Sequence, residues 1–348
     1  MLKKRTSSND KALNFISLFL IRIFEAKITF IIMRIFLILF FLASFISCSN
    51  EVTEKNMIKA DVTFLADDEL EGRQTGTQGE IKAAAYIADR FKKLGLTAKG
   101  TDGFYQEFSF APKTDPHSEV QFTKNKDGTI TGRNVVGFIN NNATNTIVIG
   151  AHFDHLGYGG DGSLYRDSVK AIHNGADDNA SGLAVLLALA KRFMQEEKEL
   201  DFSILFICFS AHETGLFGSK AFIEEYNQNS NDKLKEIEYV FNLDMVGRLD
   251  TLQNTYPLYF RIPKSNRESI WKNEDLPISK EKLRIVIKPS ETALDDSCFY
   301  QLQIPSATFS TGLHQDYHTS NDDAEKINYR GMLKIILFLE EYISYRIK

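Results

Sequence analysis

Thr146-Ile147-Val148-Ile149-Gly150-Ala151-His152-Phe153-Asp154-His155 passes from a β-branched apolar run straight into a cluster of metal-competent side chains. The run reads as a buried strand. Alternate residues of a strand point the same way, so His152 and Asp154 are expected on one face at its end.

Four later pieces repeat the pattern of a strand end followed by polar residues: Ala176-Asp177-Asp178-Asn179, His212-Glu213, Asn242-Leu243-Asp244 and Tyr317-His318-Thr319. Between them the chain alternates. Ser181 to Glu197 has the apolar spacing of a helix, with Ser181 as its expected N-cap. Phe202 to Phe209 is a fully apolar strand, Gly218 to Tyr226 a helix and Tyr239 to Leu243 the next strand. Leu283 to Ile287 and Ser306 to Phe309 are two further strands, and Arg330 to Tyr345 is an amphipathic closing helix. Fully apolar strands between helices predict a sheet covered on both faces, with the site beyond the carboxyl ends of its strands.

Upstream, residues 58 to 96 read as helical, interrupted by the polar loop Asp67 to Thr77. Tyr105 to Phe110 alternates like an edge strand. Val120-Gln121-Phe122 and Asn134 to Phe138 continue a hairpin-like stretch with Asp127-Gly128 as its turn.

The 348 residues are 43% hydrophobic and 25% charged with a formal net charge of -5. That is globular composition, and the absence of a basic stretch beyond the N-terminal region speaks against nucleic-acid binding. Residues 1–48 read as a signal region. Met33-Arg34 begins a basic start, Ile35 to Ile46 an apolar core, and Ser47-Cys48 the small-residue end. Cys48 is the expected lipidation site of a bacterial lipoprotein, which would anchor the chain to a membrane of the cell envelope, facing the periplasm or exterior. The alternative is an uncleaved anchor from Leu13 to Phe45, which Lys27 and Arg34 interrupt. Residues 49–56 are expected as a linker and 57–348 as one catalytic domain. Cys208 lies in an apolar run and reads as a small buried hydrophobe.

Taken singly, each polar piece has a plain structural use as a cap, turn or solvated loop. Together, in order and at successive strand ends, they supply the imidazoles and carboxylates that a pair of zinc ions takes in open catalytic sites. The candidate ligands are His152, Asp178, Glu213, Asp244 and His318, with Asp178 as the bridge because it precedes a helix N-terminus that favours negative charge.

The segments AHFDH, GADDNASG, SAHETGLFGSKAF, NLDMVGR and YHTSND resemble the metal motifs of the zinc exopeptidases that include bacterial leucyl aminopeptidases, glutamate carboxypeptidase II and the glutaminyl cyclases. The loop from Asp68 to Gly76 is similar to that of the bacterial members. The resemblance covers roughly residues 57 to 346. It implies a three-layer α/β/α sandwich with a mostly parallel mixed sheet, two zinc ions and peptide substrates with a free N-terminus. It places His152 and Asp244 on one zinc, Glu213 and His318 on the other, and Asp178 between them, with a cis bond after Asp178. Asp154 would orient His152.

The chain departs from that pattern at His212, where the family carries its general-base glutamate, and at Leu294-Asp295-Asp296, where the family has Ser-Asp-His. A histidine can serve as the base, and nearby zinc ions would favour its neutral form. The competing readings are a metal-binding protein without activity and a glutaminyl cyclase-like acyl transferase using one zinc. Phe299, Tyr300 and Tyr317 are candidate pocket aromatics.

Overall fold

The structure is a computed structural model and describes residues 33, 51–111, 125–167, 169–196, 200–228, 236–250, 257–263, 283–290 and 292–346. Cys48 and the stretch 120–122 lie outside them. Lys55–Lys348 form one compact unit. Residues 51–56, expected as a linker, are helical.

Among the described residues nine strands form one sheet. They are β1 (Thr97–Ala98), β2 (Tyr105–Phe110), β3 (Ile130–Ile139), β4 (Asn145–His152), β5 (Phe202–Phe209), β6 (Ile237–Leu243), β7 (Leu258–Pro263), β8 (Ile285–Ser290) and β9 (Ser306–Ser310). The order is β1-β3-β5-β4-β6-β9-β7-β8, with β2 also paired to β3. The four central strands β5, β4, β6 and β9 are parallel, while β3 and β7 run antiparallel to them.

The apolar run of β4 explains why it is central. Ile147, Ile149 and Ala151 pack into one core with Leu183, Leu186 and Leu187 of the helix Gly182–Gln195, while Val148 packs into the other core with Phe222 and Phe299. A strand buried on both faces is apolar nearly throughout, and β5, apolar but for Ser203, is buried at all eight positions. The helices Gln78–Leu94, Gly182–Gln195 and Tyr329–Arg346 contribute to the first core, and Phe217–Gln228 and Asp296–Gln301 to the second. Three layers result.

Two local expectations are corrected. Ser181 does not cap its helix: it is itself in a helical conformation, and its hydroxyl donates to the Asp177 carbonyl at 2.8 Å. Strand β7 has no counterpart in the sequence reading, and β8 begins at Ile285 rather than Leu283. Both lie at the end of the sheet beyond β9, where half-buried positions weaken the apolar signal. Cys208 and Cys298 are buried and free.

Candidate metal centre

The parallel strands deliver the candidate residues to one end of the sheet. His152 is the last residue of β4 and pairs in register with Phe209, the last of β5. His212 and Glu213 follow three and four residues later, Asp244 follows the end of β6, and His318 lies in the segment after β9. Asp178 comes from the turn into the helix Gly182–Gln195, and the Asp178–Asn179 peptide is cis, as the resemblance implies.

All five candidate ligands converge. Asp178 Oδ1 lies 3.3 Å from His152 Nε2, and its Oδ2 lies 3.1 Å from His318 Nε2. The carboxylate therefore faces one imidazole with each oxygen. Asp244 approaches His152 Nε2 at 3.8 Å and Glu213 approaches His318 Nε2 at 3.4 Å. All five side chains are largely shielded from solvent. Burial alone would discharge the His152 imidazole, yet Asp178 and Asp244 hold it well above its ordinary pKa. Against burial, Asp178 and Glu213 raise that of His318 to about 10. Burial works to raise Asp178 too, but its imidazole neighbours keep it well below the carboxylate range. A site that concentrates this much opposite charge at low polarity also suits a divalent cation.

The donor atoms fit one. His152 Nδ1 donates to the Asp154 carbonyl at 3.2 Å and His318 Nδ1 to the Gly162 carbonyl at 2.8 Å. Each ring thus presents Nε2 inward with its tautomer fixed from behind, as ligating imidazoles require. His152 Nε2 is buried and makes no hydrogen bond.

Asp154 meets the His152 ring through its backbone carbonyl rather than its carboxylate. Its Oδ1 is 3.8 Å from the His152 ring. The carboxylate accepts the backbone N–H of His212 at 3.0 Å and of Glu213 at 3.2 Å, and the Thr75 hydroxyl at 3.1 Å. It holds the loop after β5 in place, with Ala211 at φ 56°. Asp322 does the same for the bridge: it accepts from the backbone N–H of Asp177 and Asp178 at 2.8 and 3.0 Å, and from Arg248 at 2.9 Å. Asn179 ties the ends of β4 and β6 together, donating to the His152 and Leu243 carbonyls at 3.2 and 2.9 Å.

Four contributors escaped the sequence reading. Asp295 accepts from His212 Nδ1 at 2.7 Å. Burial and His152 push the His212 imidazole down, but Asp295 holds it up at about 9. The His212 ring stacks on His152 with centroids 3.8 Å apart. His155, the last residue of the opening motif, places Nδ1 3.1 Å from Glu213 and leaves Nε2 buried without a hydrogen bond. Arg73 is fully buried and donates from Nε to the Phe153 carbonyl at 2.8 Å and from Nη2 to that of Gly175 at 3.0 Å. Its Nη1 reaches the carbonyls of Leu65 and Asn174. It clamps the exit of β4 to the turn that carries Asp178. Asp322 is the fourth, quoted within YHTSND but given no task there. The signal for Asp295 lay in the altered Leu294-Asp295-Asp296 segment; nothing local marks Arg73.

A cavity of about 440 Å³ opens onto Asp178, His212, Glu213, Asp244 and His318. Of the candidate aromatics only Tyr317 lines it, stacked on His318 with centroids 3.8 Å apart. Phe299 is buried between Phe209 and Phe222, on the helix after the pocket segment, and Tyr300 does not line the cavity.

Residues 134–343, more than half of the chain, match peptidase family M28. The chain belongs to peptidase family M28. Among curated relatives, Aminopeptidase YwaD of Bacillus subtilis is 29% identical over 174 residues, covering 48% of this chain and 36% of that protein. The chain matches under half the length of the first curated relatives. Among solved structures, the zinc aminopeptidase BSAP from Bacillus subtilis superposes with a TM-score of 0.64 at 18% identity, over 84% of this chain and 95% of that one. A Zn-dependent exopeptidase from Parabacteroides distasonis gives 0.63 at 19%, over 84% and 98%. At these identities the structural matches establish the M28 fold, the expected α/β/α sandwich.

Proposed function

We propose that this chain is a zinc aminopeptidase that holds two metal ions and removes N-terminal residues from peptides. The observation that carries the reading is the placement of Asp178, with one carboxylate oxygen toward His152 and the other toward His318. His152 and Asp244 would hold one zinc, Glu213 and His318 the other, and Asp178 both. The aminopeptidase names of its M28 relatives support the reaction class.

Zinc at such a site supplies Lewis acidity toward a carbonyl and lowers the pKa of water toward about 7. The chain's own groups do the rest. His212, beside Glu213 and lining the cavity, takes the proton of the attacking water and passes it to the leaving amine. Asp295 holds the ring by Nδ1, which leaves Nε2 as the atom that exchanges the proton. Asp295 also favours the charged ring, whereas two cations nearby disfavour it, and this balance sets how readily the base is regenerated. Asp154 keeps His212 and Glu213 in register with β4.

The test is metal analysis together with turnover of aminoacyl-nitroanilides by the full chain. About two zincs per chain with turnover is the expected result. One zinc with cyclisation of an N-terminal glutamine would replace the reading by acyl transfer, and two zincs without turnover would replace it by a binding protein.

We further propose that the chain is a lipoprotein of the bacterial cell envelope, on the sequence from Met33 to Cys48. Among the described residues no helix is long and apolar enough to cross a membrane. Labelled lipid should enter the native protein and not the Cys48→Ala variant; equal labelling of both would favour an uncleaved anchor.

A further inference from the structure

The wall of the cavity facing the carboxylates carries two cations. Arg261 on β7 and Lys288 on β8 are partners in the parallel register, so their side chains leave the sheet side by side. Both line the cavity that opens onto Asp178 and His318. Like charges in direct register repel, and sheets avoid such pairs unless something offsets them. Among the described residues no carboxylate forms an ion pair with either. Lys288 Nζ sits over the Tyr259 ring, 3.8 Å from its centroid, which steadies the ammonium without neutralising it. Arg261 Nε is buried and makes no hydrogen bond.

The backbone holds this wall against the centre. Tyr259 and Arg261 pair with Ser310 and Thr308 of β9, the strand that leads into the segment bearing His318. Gly312, at φ 89°, has room for no side chain there, because a Cβ would lie 2.8 Å from the Tyr259 ring. The two cations are therefore fixed relative to the metal centre.

We propose that Arg261 and Lys288 form a subsite for a carboxylate of the peptide. Half-buried guanidinium and ammonium groups that line a cavity and have no carboxylate partner among the described residues favour a planar anion that takes hydrogen bonds from both. In a short peptide that carboxylate is either the acidic side chain of the N-terminal residue or the C-terminus of a dipeptide. The identity of the peptide as substrate rests on the aminopeptidase reading; the recognition of its carboxylate does not.

Three peptides separate the outcomes: Glu-Ala-amide, with only a side-chain carboxylate; Leu-Ala, with only a terminal one; and Leu-Ala-amide, with none. For each, kcat/KM and a calorimetric Kd are measured on the zinc-loaded full chain and on the Arg261→Gln/Lys288→Gln double variant. One carboxylate peptide should exceed Leu-Ala-amide by about tenfold or more, and the winner identifies which carboxylate is read. That ratio should fall toward one in the double variant. Equal handling of all three peptides, or a preference that survives the double substitution, overturns the subsite. Cleavage of Leu-Ala-amide at full rate in that case leaves the aminopeptidase reading intact. If none is cleaved, that reading fails and the ratio of Kd values decides the subsite; no binding of any of the three overturns both.

Discussion

On one wall of the cavity lie Asp178, Glu213, Asp244 and His318, which together with His152 sit at or beyond the ends of central parallel strands or in the turn into the helix Gly182–Gln195. The side chains of Asp154 and Asp322, accepting from backbone N–H groups, and of Asn179 and Arg73, donating to backbone carbonyls, fix the loops that bear them. On the other wall, Arg261 and Lys288 stand on the antiparallel-joined pair β7 and β8, half-buried and without carboxylate partners among the described residues. The first wall sets carboxylates against imidazoles; the second, among the described residues, sets its cations against no carboxylate. Groups that must hold a cation in one geometry need support from behind, whereas groups that receive a ligand need their donors left over. The difference separates where chemistry is done from where a substrate is read.

Removing the charge at the centre of the first wall should have the largest effect. Asp178→Asn is expected to lose bound zinc and to lower turnover by about 10³ or more, since a neutral amide cannot offset two cations. Normal zinc content in that variant would take Asp178 out of the centre and break the contrast between the walls.

The next test separates the metal-holding groups from the proton-moving pair. At equal zinc content, His212→Ala should cut kcat by about 10²–10⁴. Asp295→Asn should follow it with a loss of about 10–100-fold, since an amide partner no longer favours the same tautomer. Unchanged kcat in both variants would make the pair a bystander and leave the proton to another group.

The smallest effect concerns the support behind the wall. Glu80 is buried, accepts from the Ser210 hydroxyl and the Arg133 backbone N–H at 3.0 Å each, and burial raises its pKa to about 7. Its folded pKa exceeds the unfolded value near 4.5, so the folded state binds the proton more tightly. Stability from this group is full below about pH 4.5 and is lost as pH rises through 7, by roughly 3 kcal/mol. Glu80→Gln should flatten that fall in chemical denaturation curves between pH 5 and 8. An unchanged slope would mean that Glu80 is already ionised in the fold, paired with Arg133.

The sequence alone determined the parts that depend on local pattern. The apolar runs from Ile147 to Ile149 and from Phe202 to Phe209 announce buried parallel strands, because a strand covered on both faces has no polar side to show. The polar residues that end those runs therefore announce a site, and the five candidate ligands lie together in the fold. What only the tertiary structure decided depends on which strands become neighbours. Sheet order places β4 between β5 and β6, and it brings Asp295 to His212 across 83 residues of chain and Arg73 to Gly175 across 102. It also turns the Asp154 carboxylate from the His152 ring to the loop after β5. The pairing of Arg261 with Lys288 is likewise a matter of register between two strands, one of which carries no clear local signal. Hydrogen bonds and charges act over a few ångströms of space, and the chain sets that distance only after it has folded.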